Sequence, residues 1–319
     1  MVTVTPALPE VFDWLVEGDV AIQFQAYRDL LGEPRPDLQA RISAEGVGAA
    51  LLAARRTDGH WGHGFYQPKW TSTHYTMLEL KNLGVDPAEP ALVETVAMLL
   101  ATQKGTDGGL NPSGVVAASD VCINGMALGY CSYFGASADA LESVVDVLLG
   151  LRMPDGGFNC RLTRSGARHS SVRSTIAVLE GITEHLRRGY DYRRDELAAA
   201  RAGCVEFFLR HRLYRSERTG EPIDAEFTRA HHPARWHFDV LRCLDALRDA
   251  GVGADERMSD GVALLRNRQR PDGRWVVARA YPGATHVPVP PAGRPDRWVT
   301  LMALRVLATY PGVSSAPGR

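Results

Sequence analysis

Three kinds of reactive side chain stand close to recurring turns in this sequence. A carboxylate and a thiol two residues apart, Asp120-Val121-Cys122, follow the turn Asp107-Gly108-Gly109-Leu110. An imidazole, His169, follows Asp155-Gly156-Gly157-Phe158 at about the same distance past its second glycine. Cys160 lies in that second turn and reads as a nucleophile, a further ligand or a buried residue. Around His169 sits a basic cluster, Arg161, Arg164, Arg168 and Arg173, of the kind that takes phosphate, diphosphate or carboxylate groups. Trp70, Trp236 and Trp298 open apolar stretches and offer ring faces to a hydrophobic or cationic substrate. Asp120 and Asp239 are the candidate acids. Each residue also has a plainer role: a cysteine as a small core side chain, an aspartate as a helix N-cap, a tryptophan as interhelical packing. His74 reads as a core or cavity group, and His231-His232 as exposed.

The elements that must position these groups are repeats. Asp-Gly turns at Asp58, Asp107, Asp155 and Asp272 recur at intervals of 49, 48 and 117 residues, the last being roughly two longer repeats, one of which has lost its turn signal. Each turn follows a helical stretch and precedes a second one, such as WTSTHYTMLELKNLG, SDVCINGMALGYCSYFG or RWHFDVLRCLDALRDAG. Apolar residues in most of these return at i, i+3, i+4 and i+7, the helical period, and alternation of period two is nearly absent. Six helix pairs with glycine-rich turns at one end suggest two concentric rings. The more hydrophobic second helices belong inside, and a cavity mouth should be built from the turns and inner-helix N-termini, where free N–H groups gather. The segment at about 212–234 reads as a polar insertion and the segment at about 281–296 as a Pro-rich loop that cannot be helical.

The pattern of Gln or Arg, then Asp-Gly, then an aromatic residue, then a helix opening in Ser, Thr or Trp, resembles the repeats of prenyltransferase β subunits and squalene or oxidosqualene cyclases. Asp58-Gly-His-Trp-Gly62 and Gln269-Arg-Pro-Asp-Gly-Arg-Trp275 carry it most closely, and at the level of repeats it spans Gly18 to Tyr310. The resemblance implies an all-α fold, a single (α/α)6 toroid over residues 1–319. It also implies a zinc ion. In the prenyltransferase β subunits an Asp-x-Cys and a His at successive inner-helix starts hold the metal, which places Asp120, Cys122 and His169 as ligands here, with Cys160 a possible fourth. One carboxylate, one thiolate and one imidazole with an open position is a catalytic zinc set, able to activate a water or thiol. Arg161, Arg168 and Arg173 would then bind an anionic group, and Trp70, Trp236 and Trp298 the apolar part of a small, isoprenoid-like substrate. The cyclases of this group protonate a double bond through Asp-x-Asp-Asp, which is missing from this sequence. A metal-free cyclase using Asp120 or Asp239 is therefore the alternative. The alternative of another class is a non-catalytic helical-repeat binding module.

Composition narrows the field further. Against 36 Lys and Arg stand 37 Asp and Glu, so the charge of −1 gives no reason to expect nucleic acid. No run of about 18 apolar residues suggests a membrane span. The first residues lack a basic segment leading into an apolar one, and five cysteines are too few and odd in number for a disulfide scaffold, so a reduced, cytoplasmic enzyme is expected, alone, as a homo-oligomer or with a partner subunit.

Overall fold

The computed structural model describes residues 9–113 and 115–313, so the first eight residues, on which part of the leader reading rests, lie outside it. In chain order its α-helices are α1 (Pro9–Val16), α2 (Val20–Ala26, continued by a π turn, Tyr27–Leu31), α3 (Pro36–Arg41), α4 (Gly46–Ala53), α5 (Thr73–Leu83), α6 (Pro90–Thr102), α7 (Val121–Tyr133), α8 (Ala138–Gly150), α9 (Leu162–Ser165), α10 (Val172–Arg187), α11 (Arg194–Arg210), α12 (Val240–Asp249), α13 (Ser259–Asn267) and α14 (Arg297–Thr309). Among the described residues there are isolated β-bridges but no strand. No described helix is long and apolar enough to cross a membrane.

The inner ring runs α2, α5, α7, α10, α12, α14. Neighbours pack in that order from α5 onward, and α14 returns to α2. Gln25 joins α2 to α5, its side-chain amide donating to Asn82 O at 2.7 Å and Leu83 O at 3.1 Å. Closure removes the open groove that a scaffold-type repeat array would present. The outer helices α1, α4, α6, α8, α11 and α13 each precede an inner one. Burial separates the two classes: α8 buries only Leu141, Val144, Val145 and Leu148, one helical stripe, whereas α7 buries nearly every residue from Ile123 to Ser132. The tightest crossing is α7 on α10, where a Cβ on Gly181 would come within 2.0 Å of Gly125 O. Only glycine lets the two backbones meet there.

The four Asp-Gly turns share one construction. The aspartate carboxylate accepts a backbone N–H two residues on at Asp58, Asp107 and Asp272, and the following glycine is left-handed at all four. The apolar residue behind the turn is then driven into the core. Its N–H bonds to a side chain of the next inner helix: Trp61 to Thr73, Leu110 to Asn124, Phe158 to Thr175 and Trp275 to Thr300. Each turn is thus clipped onto the inner helix it introduces.

Candidate active site

The turn aspartates also set the register of α7 and α10. Asp107 takes the N–H and hydroxyl of Ser119, and Asp155 takes those of Ser170 in the same way. Structurally, then, Asp120 corresponds to Ser171 and Cys122 to Arg173, while His169 precedes the helix. The separation from aspartate to serine is 12 residues in one repeat and 15 in the other, because the loop carrying α9 is longer. Equal counts from the glycines therefore misalign His169, which corresponds in the structure to Ala118 and not to Asp120. It is exposed, and its carbonyl accepts from Asn159. Among the described residues no three His, Cys, Asp or Glu side chains group as a metal ion needs. As placed, Asp120, Cys122 and His169 do not fit a three-ligand zinc site.

Asp120 instead binds Arg164 at 2.5 Å through Oδ2, while its Oδ1 is buried without a partner. Burial raises its carboxyl above the usual range, and Arg164 opposes this. The thiols of Cys122 and Cys160 perturb one another, which lowers Cys160 and, together with burial, raises Cys122. The arginines expected to bind an anion do not converge. Arg161 and Arg168 are exposed, and Arg173 pairs with Asp224 at 3.0 Å while lying over Phe227 and Trp236.

The end of the ring expected to be the mouth is covered. Two irregular segments, 211–239 and 276–296, join through Ala278 N to Ala230 O at 2.8 Å and lie across the N-termini of the inner helices. Trp70 Nε1 donates to Pro282 O at 2.6 Å, and His286 Nε2 is 3.2 Å from both Thr71 O and Thr76 Oγ1. Gly283 rests on the Trp70 ring, where a Cβ would come within 2.2 Å. The three tryptophans do not form one wall, because their positions are not equivalent. Trp70 and Trp236 share a covering lysine, Lys69, under the loops, whereas Trp298 faces the ring's interior and stacks on His232. Asp239 is the N-cap of α12, accepting the N–H groups of Arg242 and His231. His231, read as exposed, is 6 % exposed, since its loop turns into the ring and its ring stacks on Tyr281. His74 is fully buried beside Tyr130 OH at 3.2 Å, and burial depresses it to about 3.

The cavity lies in the middle of the ring, about 220 Å³, floored by His231–Arg235. It opens toward the C-terminal ends of the inner helices, where Arg28, Asn82 and Arg187 are exposed. Most charges on its wall are paired. Arg242 grips Glu180 through two bonds of 2.7 Å, Arg305 bridges Asp245 and Asp29, and Glu184 holds Arg187 and Arg188. Two are not. Tyr75, Leu78, Glu79 and Asn82 form the cavity stripe of α5, and no described residue bonds to the Glu79 carboxyl. Burial raises that carboxyl above the usual range, the Arg235 charge only partly offsetting it. Arg235 is 7 % exposed, forms no ion pair among the described residues, leaves its Nε unbonded and lies 4.5 Å over the Trp70 ring. Its backbone is left-handed at φ 55, a costly conformation for a non-glycine residue. It is held there by Arg242, whose Nη1 bonds to Arg235 O at 2.8 Å. Neither residue was singled out from sequence. The available signal was a carboxylate in phase with Tyr75 on a helix whose remaining face is core.

No protein-family model matches the chain, and no curated protein does. Among solved structures, the type II terpene cyclase MstE from Scytonema is similar in its apo form at 15 % identity and TM-score 0.35, over 85 % of this chain and 96 % of that one. A variant of MstE in complex with merosterolic acid A, its product, is similar at 16 % identity and TM-score 0.36, over 86 % and 95 %. A further variant, in complex with its substrate geranylgeranyl dihydroxybenzoate, is similar at 16 % and 0.34, over 89 % and 98 %.

Proposed function

We propose that this chain is an enzyme that carries out acid-initiated chemistry on a small unsaturated, isoprenoid-like substrate in the central cavity, with Glu79 as the proton donor. The observation that carries this reading is the unpaired acid beside an unpaired arginine on a wall whose other charges are largely neutralised. Perturbed titratable groups that lack a protein partner in a cavity mark sites of chemistry, since a fold gains no stability from leaving them so.

A carboxyl whose protonated form is favoured by burial can protonate a carbon–carbon double bond. The carbocation formed is faced by the rings of Tyr75, Tyr133 and Trp298, whose electron-rich faces stabilise positive charge. The Glu79 carboxylate left behind is attracted by the Arg235 charge, which partly compensates charge separation within the cavity as it develops. Return of a proton from the rearranged cation to the carboxylate restores the acid, and the net reaction is an isomerisation or cyclisation. Arg242 acts as a positioning residue, through its bond to the Arg235 carbonyl and its clamp on Glu180.

The test is incubation with C10 to C20 isoprenoids in heavy water. Wild type should deliver one solvent deuterium to the product, and Glu79→Gln should lose this by a factor of about 10² to 10⁴ while remaining folded. Conversion that is indifferent to Glu79→Gln overturns the assignment of the acid.

A further inference from the structure

A second cavity, of about 130 Å³, lies apart from the central one, between α12, α13 and the two covering loops. Val240 and Leu241 of α12 and Leu264 and Leu265 of α13 supply its apolar walls, and Trp275 and Val276 close it. The few polar atoms around it are already engaged. Trp275 Nε1 donates to Leu265 O at 2.8 Å, Ala230 O accepts the Ala278 N–H, and Thr228 Oγ1 donates to Ala225 O at 2.8 Å. Water held inside a protein needs roughly two to four polar partners, so this space favours hydrocarbon over water. Left empty, such a void costs stability, because the side chains around it lack packing partners on one side. At its edge stands Arg268, exposed, just past the end of α13. Its one side-chain bond among the described residues is to Thr228 Oγ1 at 3.2 Å, and no carboxylate pairs with it there. Arg229, whose charge reaches Arg268, is itself taken by Glu226 at 2.9 Å.

We infer that this cavity binds a small apolar monocarboxylate, with its ring or short branched chain between α12 and α13 and its carboxylate on Arg268. The size sets the apolar part: a dry cavity of about 150 Å³ takes a benzene-sized group, and this one is slightly smaller. The cation sets the head. A guanidinium fork matches the two oxygens of one carboxylate, and such charge-assisted bonds favour it over a neutral group of the same shape. The site depends on both covering loops, since Thr228 and Ala230 come from one and Val276 from the other. Ala230 directly precedes His231–Arg235, the floor of the central cavity, so a bound carboxylate would fasten the segment that carries Arg235. The site takes no part in the reaction proposed for the central cavity and does not depend on Glu79.

The experiment is an NMR titration of the full chain, labelled at its leucine, valine and methionine methyl groups, with sodium benzoate and, separately, with benzyl alcohol. The expected result is saturable shifts at Val240, Leu241, Leu264 and Leu265, with benzoate binding at least about tenfold more tightly than benzyl alcohol. Arg268→Gln should remove that advantage and leave the binding of benzyl alcohol unchanged. Leu264→Phe, which fills the cavity, should abolish the binding of both. The wild-type titration decides the matter even if a variant folds poorly. Benzoate shifts at Leu78 and Met302 in place of those four residues would put the carboxylate in the central cavity and overturn the proposal. Equal affinity for the two probes, or shifts that only grow linearly with concentration, would overturn it as well.

Discussion

The two ends of the ring are built from the same inner helices and treat charge in opposite ways. At the N-terminal end, loops 211–239 and 276–296 cover the helices, their aromatic rings His231, Tyr281, His237 and Trp236 stack face to face, and the cations there, Lys69 and Arg173, lie over rings. Toward the C-terminal end, carboxylates and guanidinium groups line an open cavity and pair with one another, leaving Glu79 and Arg235 as the exceptions among the described residues. A helix N-terminus with its free N–H groups is the obvious place to look for a site, but backbone donors can be consumed by caps and covering loops. An unpaired charge cannot be hidden in that way. Its persistence inside the ring is the more discriminating sign.

The comparison breaks most sharply at Glu79. Glu79→Gln should remove turnover by about 10² to 10⁴ with little change in melting temperature, because the substitution keeps the shape of a side chain with no protein partner. A loss of stability in place of activity would make Glu79 structural. Next in size is Gly181→Val, which forces α7 from α10. It should cost about 1–3 kcal/mol or more, read as a lower midpoint in urea without a change in the pattern of charges around the cavity.

Individual buried groups should also answer pH with opposite slopes. His74 and His237 are depressed to about 3, chiefly by burial. Their contribution is present above the unfolded value near 6.5 and is lost as pH falls from there toward about 3. Glu79 is raised, so its contribution is present below the unfolded carboxyl value and is lost as pH rises through its folded value. Melting curves across pH should therefore show an acid limb flattened by His74→Asn and a high-pH decline flattened by Glu79→Gln. Trp70→Phe, which removes the bond to Pro282 O, should cost only about 1 kcal/mol and raise proteolysis within 281–296. Smallest of all is chelation. Protein purified without added metal should carry no stoichiometric zinc, and EDTA should leave stability unchanged. One zinc per chain, lost on combining Cys122→Ala with His169→Ala, would reinstate the metal reading.

The ring was legible because its signals are local. Asp-Gly followed by an apolar residue encodes a turn whose geometry is fixed within four residues, and the helical period survives in each inner stretch. The register of His169 was not legible, because a longer loop before α10 shifts it and counting residues cannot see where the chain rejoins the helix. Glu79 was hidden differently. In THYTMLELKNL a single carboxylate reads as the exposed side of an amphipathic helix, and only a closed ring turns that side toward an interior. Arg235 depends on a loop that reverses into the ring, a path no periodicity records.

The clips between turn and inner helix have a consequence for how such a chain can change over time. The same bond from the residue behind the turn closes over 12, 14, 17 and 25 residues in the four repeats. The intervening chain can therefore lengthen without disturbing the helix it leads to, since the entropy of closing a loop grows only slowly with its length. Architecture and specificity are thereby separable: one part is held constant while the other is free to be rewritten, repeat by repeat.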